Sequence, residues 1–149
     1  MDKISGSREE NRYNQDVDEI TLKEVALYIE NADEALSVAQ LNLDNDFYAA
    51  SINRSYYAIF YAANALLATR KLARNKHSGV LSAFRQHFIK NGIVSTELSE
   101  IYAQVMDDRH EGDYEILAAT SKVDAEIDLL QARHFVDEVK AWLRREKWL

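Results

Sequence analysis

The chain has 149 residues with no cysteine and no proline, and its formal net charge at pH 7 is −7. This length is typical of a single domain with its own hydrophobic core. The absence of cysteine excludes disulfides and thiolate metal sites, which agrees with a reducing cytoplasm. No apolar run approaches the roughly 20 residues that span a bilayer, and residues 1–20 contain no apolar signal segment. We therefore expect a cytoplasmic protein that does not enter a membrane.

Charge is distributed unevenly along the chain. Residues 47–96 contain no Asp or Glu, whereas residues 1–46 hold four basic and twelve acidic residues and residues 97–149 hold seven and thirteen. The acid-free segment carries seven basic residues: Arg54, Arg70, Lys71, Arg74, Lys76, Arg85 and Lys90. Such asymmetry indicates an anionic ligand or self-association of the basic middle with an acidic flank. Pairing with acidic residues of neighbouring helices is an equally good explanation, and the negative net charge argues against a general affinity for nucleic acid.

The first half of the chain predicts a polar tail and two helices. Residues 1–18 are rich in charge and lack periodicity, so we expect a flexible tail there and a folded domain at 19–149. Thr21 with Glu24 resembles a capping box and predicts the start of a first helix that ends near Leu43. Residues 47 to about 73 are dense in alanine and aromatic residues, which predicts a central helix that is apolar nearly all round.

Three more helices are predicted in the second half. Ser78 caps the third, and Gly92 ends it in the left-handed conformation. The fourth begins at Ser95 or Thr96 and continues toward Leu117, and the last is capped by Ser121 with Asp124. The apolar stripe that we assign to the last helix is Ile127, Leu130, His134, Val136, Val139 and Leu143. Amphipathic helices joined by short turns predict an all-α, antiparallel up-and-down helical bundle of four to five helices.

Familiar catalytic and cofactor motifs are missing from the sequence. The four histidines form no HExxH or HxH arrangement, so we expect no metal site. There is no glycine-rich phosphate loop and no GxSxG, so we expect no cofactor and assign no catalytic residue. His134 lies on the predicted apolar stripe of the last helix, where we expect a satisfied core or interface residue.

Two clusters remain as candidate ligand-binding sites. Arg109 and Asp113 are four residues apart, so on a helix they share a face and can pair, orienting the guanidinium toward a phosphate or base. Tyr114 follows directly. The second cluster lies on the central helix at helical spacing and includes Asn53, Arg54 and Tyr57. On spacing alone, an ordinary exposed ion pair is the preferred explanation of the first cluster, and packed aromatic residues with buried hydrogen bonds are the default explanation of the second.

Three motifs resemble those of the HEPN domain: residues 53–63 (NRSYYAIFYAA), residues 77–80 (HSGV), and Arg109 followed by Asp113 and Tyr114. The chain is similar in particular to the small stand-alone prokaryotic HEPN proteins of the UPF0332 type, over about residues 21–143. The resemblance implies a helical bundle that is usually a homodimer. It also implies that the protein pairs with a minimal nucleotidyltransferase in a toxin–antitoxin module.

The resemblance is incomplete at the residues that would carry catalysis. Many HEPN proteins are metal-independent ribonucleases with an Arg-x4-6-His motif, but the three allowed positions after Arg109 hold Tyr114, Glu115 and Ile116. Tyrosine, with a pKa near 10, is a poor general base at neutral pH. Arg70 and His77 satisfy the spacing, but a chain of this composition produces such a match readily by chance, so we discount that pair.

The sequence therefore favours a HEPN protein with no catalytic activity or only weak activity of its own. It would bind a nucleotide, RNA or a nucleotidyltransferase partner through a groove lined by two sets of residues: Arg109, Asp113 and Tyr114 on one side, and Asn53, Arg54 and Tyr57 on the other. Two alternatives stay open. One is a metal-independent ribonuclease toxin in which Arg109 acts with Tyr114 or His110, and the other is a structural helical dimer without a ligand.

Overall fold

A computed structural model describes the backbone of residues 3–73, 76–114 and 120–149, with side chains for 8–10, 12, 18–73, 76–110 and 120–149. These residues form five α-helices: α1 (Lys3–Asp44), α2 (Tyr48–Ala68), α3 (His77–Phe84), α4 (Thr96–Tyr114) and α5 (Lys122–Arg145). A π-helical turn, Arg85–Ile89, continues α3. The described backbone contains no strand, and the predicted all-α helical bundle is confirmed.

The first helix buries the face that the sequence predicts. Five residues at helical spacing are at most 6% exposed: Val25, Ile29, Ala32, Leu36 and Ala39. However, α1 begins at Lys3 instead of Thr21, so the predicted capping box lies inside the helix. Without proline in this region, nothing in the backbone requires a helix to stop before Thr21. The division into a tail at 1–18 and a domain at 19–149 stays a prediction.

The central helix ends five residues earlier than predicted. Lys71 adopts a left-handed conformation with φ of 59°. The backbone N–H of Leu72 then donates to the carbonyl of Leu67 at 2.9 Å, which satisfies one of the last carbonyls of α2. This closure resembles a Schellman motif in which lysine occupies the position that glycine usually takes. It ends α2 at Ala68 and directs the chain toward α3.

The turns around α3 and α4 follow the predictions closely. The N-cap of α3 is Lys76, two residues before the predicted cap Ser78, so the helix begins at His77. Gly92 has a φ of 71°, which confirms its left-handed role after the π-helical turn. Before α4, the Ser95 hydroxyl accepts a hydrogen bond from the Glu97 N–H at 3.2 Å. The predicted continuation toward Leu117 falls on residues 115–119, which lie outside the described residues.

The predicted cap of α5 is confirmed, but the predicted buried face is wrong in part. Ser121 Oγ accepts from the Asp124 N–H at 3.1 Å. Ile127 and Leu130 are 48% and 69% exposed, and His134 is also exposed. The face that is buried is rotated relative to the predicted one and includes two alanines. Its residues are Ala125, Asp128, Leu129, Ala132, Phe135, Val136, Val139 and Leu143. The alanines allow α5 to approach its neighbours closely, and this packing selects the face over hydrophobicity alone.

The second helix lies at the centre of the bundle and contacts α1, α3, α4 and α5. Its alanines, including Ala58, Ala62 and Ala65, are fully buried and leave room for these neighbours. Within the described residues, no helix is both long and apolar enough to cross a membrane. The central position of α2 means that residues near its N-terminal half meet side chains from both α3 and α4, and the candidate site forms there.

Candidate functional site

An open cleft of about 910 Å³ lies where α3, the π-helical turn and α4 meet over α2. Its described lining comprises Tyr56, Lys76, His77, Ser78, Leu81, Ser82, Arg85, Gln86, Lys90, Met106, Arg109 and His110. Four of these residues carry a permanent positive charge, and none of the described lining residues is Asp or Glu. Four cations without a carboxylate among the described lining residues create a positive potential, so the cleft is suited to an anion.

The positive charge of the cleft comes mostly from the acid-free segment of the sequence. Lys76, Arg85 and Lys90 belong to residues 47–96, and all three are exposed. The ion pairs found among the described residues join Lys122 to Glu126, His134 to Glu97, and Lys140 to Asp33. Their basic members all lie outside the acid-free segment. The described ion pairs therefore give no support to pairing with neighbouring helices as the explanation of the charge asymmetry, whereas an anionic ligand and self-association both stay predictions.

His77 is held firmly at the edge of the cleft by residues of α2. Its Nδ1 lies 2.7 Å from the Tyr56 hydroxyl, which is hydrogen-bonding distance. Its ring stacks on Phe60 at a centroid distance of 4.6 Å and meets the edge of Tyr57 at 5.4 Å. Burial, together with the charges of Arg109 and His110, lowers the pKa of His77 below its ordinary value of 6.5. The imidazole is therefore neutral at neutral pH.

Arg109 is positioned by the same aromatic cluster. Its guanidinium carbon lies 4.6 Å from the ring centroid of Tyr56 and 5.4 Å from that of Tyr57. Cation–π contacts of this kind contribute about 0.5–2 kcal/mol, depending on how well they are shielded from water. The contact holds the flat guanidinium against α2 at the wall of the cleft, a geometry suited to phosphate oxygens.

The structure brings four of the six predicted site residues together. Arg54 stacks on Tyr57 at 4.6 Å and donates from Nε and Nη2 to Asn53 Oδ1 at 3.3 and 3.1 Å. Tyr57 thus lies near both Arg54 and Arg109, although only Arg109 lines the cleft itself. The side chains of Asp113 and Tyr114 lie outside the described residues, so their part in the site stays a prediction.

Two buried tyrosines lie behind His77 and Arg109. Tyr56 and Tyr102 are both fully buried, and their ring centroids are 6.2 Å apart. Burial raises the pKa of Tyr102 strongly, and it raises the pKa of Tyr56 despite the opposing charge of Arg109. Both phenols are therefore neutral at neutral pH, and the Tyr56 hydroxyl lies within hydrogen-bonding distance of His77. The described residues contain no group of three or more His, Cys, Asp or Glu placed to hold a metal ion.

Comparison with known proteins gives the family. The family model described as HEPN domain matches residues 25–142. This chain belongs to the HEPN family. A protein named UPF0332 protein from Thermotoga maritima is 38% identical over 109 residues, which cover 73% of this chain and 83% of the relative. The predicted resemblance to small HEPN proteins of the UPF0332 type is thereby confirmed.

Two HEPN relatives come from Methanocaldococcus jannaschii, and each carries the name "Putative toxin". One is 32% identical over 121 residues, covering 81% of this chain and 82% of the relative. The other is 34% identical over 122 residues, covering 82% of this chain and 90% of the relative.

In this HEPN chain the histidine that, like Arg109, contacts Tyr56 belongs to α3 and not to the stretch after Arg109. The sequence offers no histidine at the three allowed positions after Arg109, and the Arg70–His77 pair was discounted as a match that arises readily by chance. Arg70 instead stacks on Phe88 at 5.1 Å and is absent from the described lining of the cleft. Two features of the sequence pointed to the region of His77: the HSGV motif and the acid-free segment. Neither indicates that His77 contacts Tyr56, 21 residues earlier.

Proposed function

We propose that this HEPN protein is the toxin-side member of a toxin–antitoxin pair and that it binds single-stranded RNA in the cation-lined cleft. The observation that carries the proposal is the cleft itself, with Lys76, Arg85, Lys90 and Arg109 along its wall and no carboxylate among its described lining residues. Phosphate neutralisation by Lys and Arg supplies most of the affinity for a nucleic acid backbone. The names of the M. jannaschii relatives support the toxin assignment.

The spread of the cations favours a strand over a single nucleotide. Lys76 and Lys90 lie at opposite ends of α3 and its π-helical turn, 14 positions apart in the sequence. At about 1.5 Å per helical residue they are separated by roughly 20 Å. A chain of several phosphates can reach both lysines at once, whereas the phosphates of one nucleotide cannot. Free nucleotide is thus the weaker candidate ligand.

The overall charge of the protein predicts how this binding depends on salt. The net charge of −7 opposes association with RNA everywhere except at the cleft. Binding should therefore be specific to the cleft and should weaken as salt screens the few favourable contacts. A protein that bound RNA by general electrostatic attraction would instead need a basic surface much larger than this one.

The test is fluorescence anisotropy with a labelled single-stranded RNA at several KCl concentrations. We expect Lys90→Ala to weaken binding and to reduce the slope of log K against log salt by about one, because one phosphate contact is lost. Lys122→Ala is the matched control, since Lys122 is exposed, pairs with Glu126 on α5 and changes the net charge equally. We expect this control to bind like the wild type.

Three results would contradict the proposal. If Lys90→Ala and Arg109→Ala both bind RNA as tightly as the wild type, the cleft is not the binding site. If neither RNA nor single-stranded DNA of the same sequence binds, the protein is a structural helical dimer or an adaptor. If ATP competes with RNA at stoichiometric concentration, the ligand is a nucleotide.

The partners implied by the family remain part of the proposal. We propose that the antitoxin is a minimal nucleotidyltransferase and that the HEPN chain forms a homodimer in the cytoplasm. Family membership and the toxin names of the relatives support both partners. Light scattering of the pure protein should give a mass near twice 17.1 kDa. A mass of one chain across a hundredfold range of concentration would contradict the homodimer.

A further inference from the structure

We propose that the groove between α4 and α5 binds a basic amphipathic helix of a different protein. This groove is separate from the cation-lined cleft, so the inference goes beyond RNA binding and does not rest on it. With about 3.6 residues per turn, Ile101 and Gln104 line the groove on one side of α4. Met106 and Arg109 line the cleft on the opposite side.

The groove has an apolar floor and an acidic rim. Its volume is about 290 Å³, and its described lining comprises Glu97, Glu100, Ile101, Gln104, Val105, Ile127 and Gln131. Ile101 and Val105 are buried, whereas Glu97 and Glu100 are exposed. None of the described lining residues is Lys or Arg. The groove therefore has a negative potential, the opposite of the cleft.

An exposed apolar stripe on α5 extends the groove. Its members Val123, Ile127 and Leu130 are 61%, 48% and 69% exposed, and they occupy positions i, i+4 and i+7 of the helix. Ile127 belongs to both the stripe and the groove. An exposed apolar patch with a polar rim is typical of a protein-binding surface, and a groove between two helices accepts a third helix along its length.

The acidic rim determines the charge of the partner. Glu97 lies 3.6 Å from Nε2 of the exposed His134, and the ion pairs found among the described residues include none of Glu100. Two carboxylates beside an apolar floor match a helix whose apolar face is flanked by Lys or Arg. Opposite charges on the two surfaces speed association, and like charges exclude an acidic helix.

A second copy of this chain is a poor match for the groove. In a symmetric dimer each groove would face its own copy, and the carboxylates of the two rims would repel each other. A contact between the groove and the cationic cleft of another copy would be head-to-tail, which closes only at particular rotations and otherwise extends without limit. The proposed homodimer should therefore form through a different face.

The experiment measures fluorescence anisotropy of a labelled synthetic helix that has leucines on one face and lysines on both sides of that face. We expect the wild type to bind this peptide at least about tenfold more tightly than the same peptide with glutamate at every lysine position. Ile127→Ala/Leu130→Ala should weaken binding of the lysine peptide at least about tenfold, because it removes central apolar anchors. The matched control is Ile20→Ala/Leu27→Ala, which removes the same atoms from exposed positions of α1, outside the described lining of the groove.

Glu100→Gln tests the rim separately, because it removes the charge and keeps the shape of the side chain. We expect this variant to bind the lysine peptide more weakly, to discriminate less between the two peptides and to depend less on the KCl concentration. Glu34→Gln, at an exposed position of α1, is the control for the change in net charge. It should bind both peptides like the wild type.

Three further measurements compare the stripe variant Ile127→Ala/Leu130→Ala with its α1 control. We expect the two proteins to have the same RNA affinity, the same mass by light scattering and similar melting temperatures. Weaker RNA binding in the stripe variant would show that the groove belongs to the RNA site. A smaller mass would show that a second copy covers the stripe, and a much lower melting temperature would show that the chain itself covers it. Each of these results would overturn the inference.

The peptides give the remaining outcomes. Equal binding of the lysine and glutamate peptides to the wild type would overturn the inference, as would equal binding of the lysine peptide to the wild type and the stripe variant. A wild type that binds the lysine peptide at the groove but binds no RNA would overturn the proposed function and leave this inference standing.

Discussion

Asp128 is a carboxylic acid in the interior of the bundle, only 1% exposed on the buried face of α5. Burial, then the hydrogen bond and charge of Asp108, raise the pKa of Asp128 to about 8 from an ordinary 3.8. Asp128 is therefore protonated at neutral pH. The folded chain holds this proton up to about pH 8, whereas the unfolded chain releases it near pH 3.8. Stability should thus fall as the pH rises through that interval.

Asp128→Asn should remove this pH dependence, because asparagine keeps the shape and a donor but cannot ionise. Each unit of pKa difference between the folded and unfolded states corresponds to about 1.4 kcal/mol. We therefore expect the variant to exceed the wild type in stability by several kcal/mol at pH 8 and to approach it at pH 4. The measurement is urea denaturation at both pH values. Asp137→Asn, exposed on the same helix, is the control, and parallel pH dependences in all three proteins would contradict the prediction.

At the scale of the element, α5 shows how packing selects a helix face. Leu129 and Leu130 are adjacent in the sequence and equally hydrophobic, yet Leu129 is 3% exposed and Leu130 is 69% exposed. Hydrophobic periodicity alone assigned Leu130 to the core. The buried face of α5 also holds Ala125 and Ala132, whose small side chains allow a neighbouring helix to approach closely. Packing of this face brings Leu129 inward and leaves Leu130 outward.

These two leucines provide a matched test of the orientation of α5. Leu129→Ala should lower the free energy of unfolding by about 2–5 kcal/mol, because it leaves a cavity in the core. Leu130→Ala should change it by no more than about 0.5 kcal/mol, as at an ordinary surface position. Chemical denaturation of the two variants and the wild type measures both values. The opposite order would show that α5 presents the face that the sequence predicted.

At the scale of the whole molecule, the contacts of α2 with four other helices join the bundle into one cooperative unit. Trp142 near the end of α5 reports on this cooperativity, because its ring meets the edge of Phe88 at 5.7 Å. We expect urea unfolding followed by tryptophan fluorescence and by far-UV circular dichroism to give the same midpoint. An earlier midpoint in fluorescence would show that this end of the bundle opens separately.

Features with local causes could be predicted from the sequence. Gly92 takes its left-handed conformation and Ser121 caps α5 because each depends on only a few neighbouring residues. The apolar spacing of α1 likewise gave its buried face. The central motif led to the family, and the acid-free segment contains three of the four cations that line the cleft, because sequence motifs and the placement of charged residues are themselves properties of the sequence.

Only the tertiary structure decided which residues form the site. The contact of His77 with Tyr56, and of Arg109 with the same ring, joins α3, α4 and α2. The burial of Asp128 and the inward position of Leu129 likewise depend on how α5 packs against its neighbours. Periodicity specifies the conformation of each helix. It does not determine how a helix is rotated about its axis or which helices it contacts, because both follow from the fit of side chains between elements distant in the sequence.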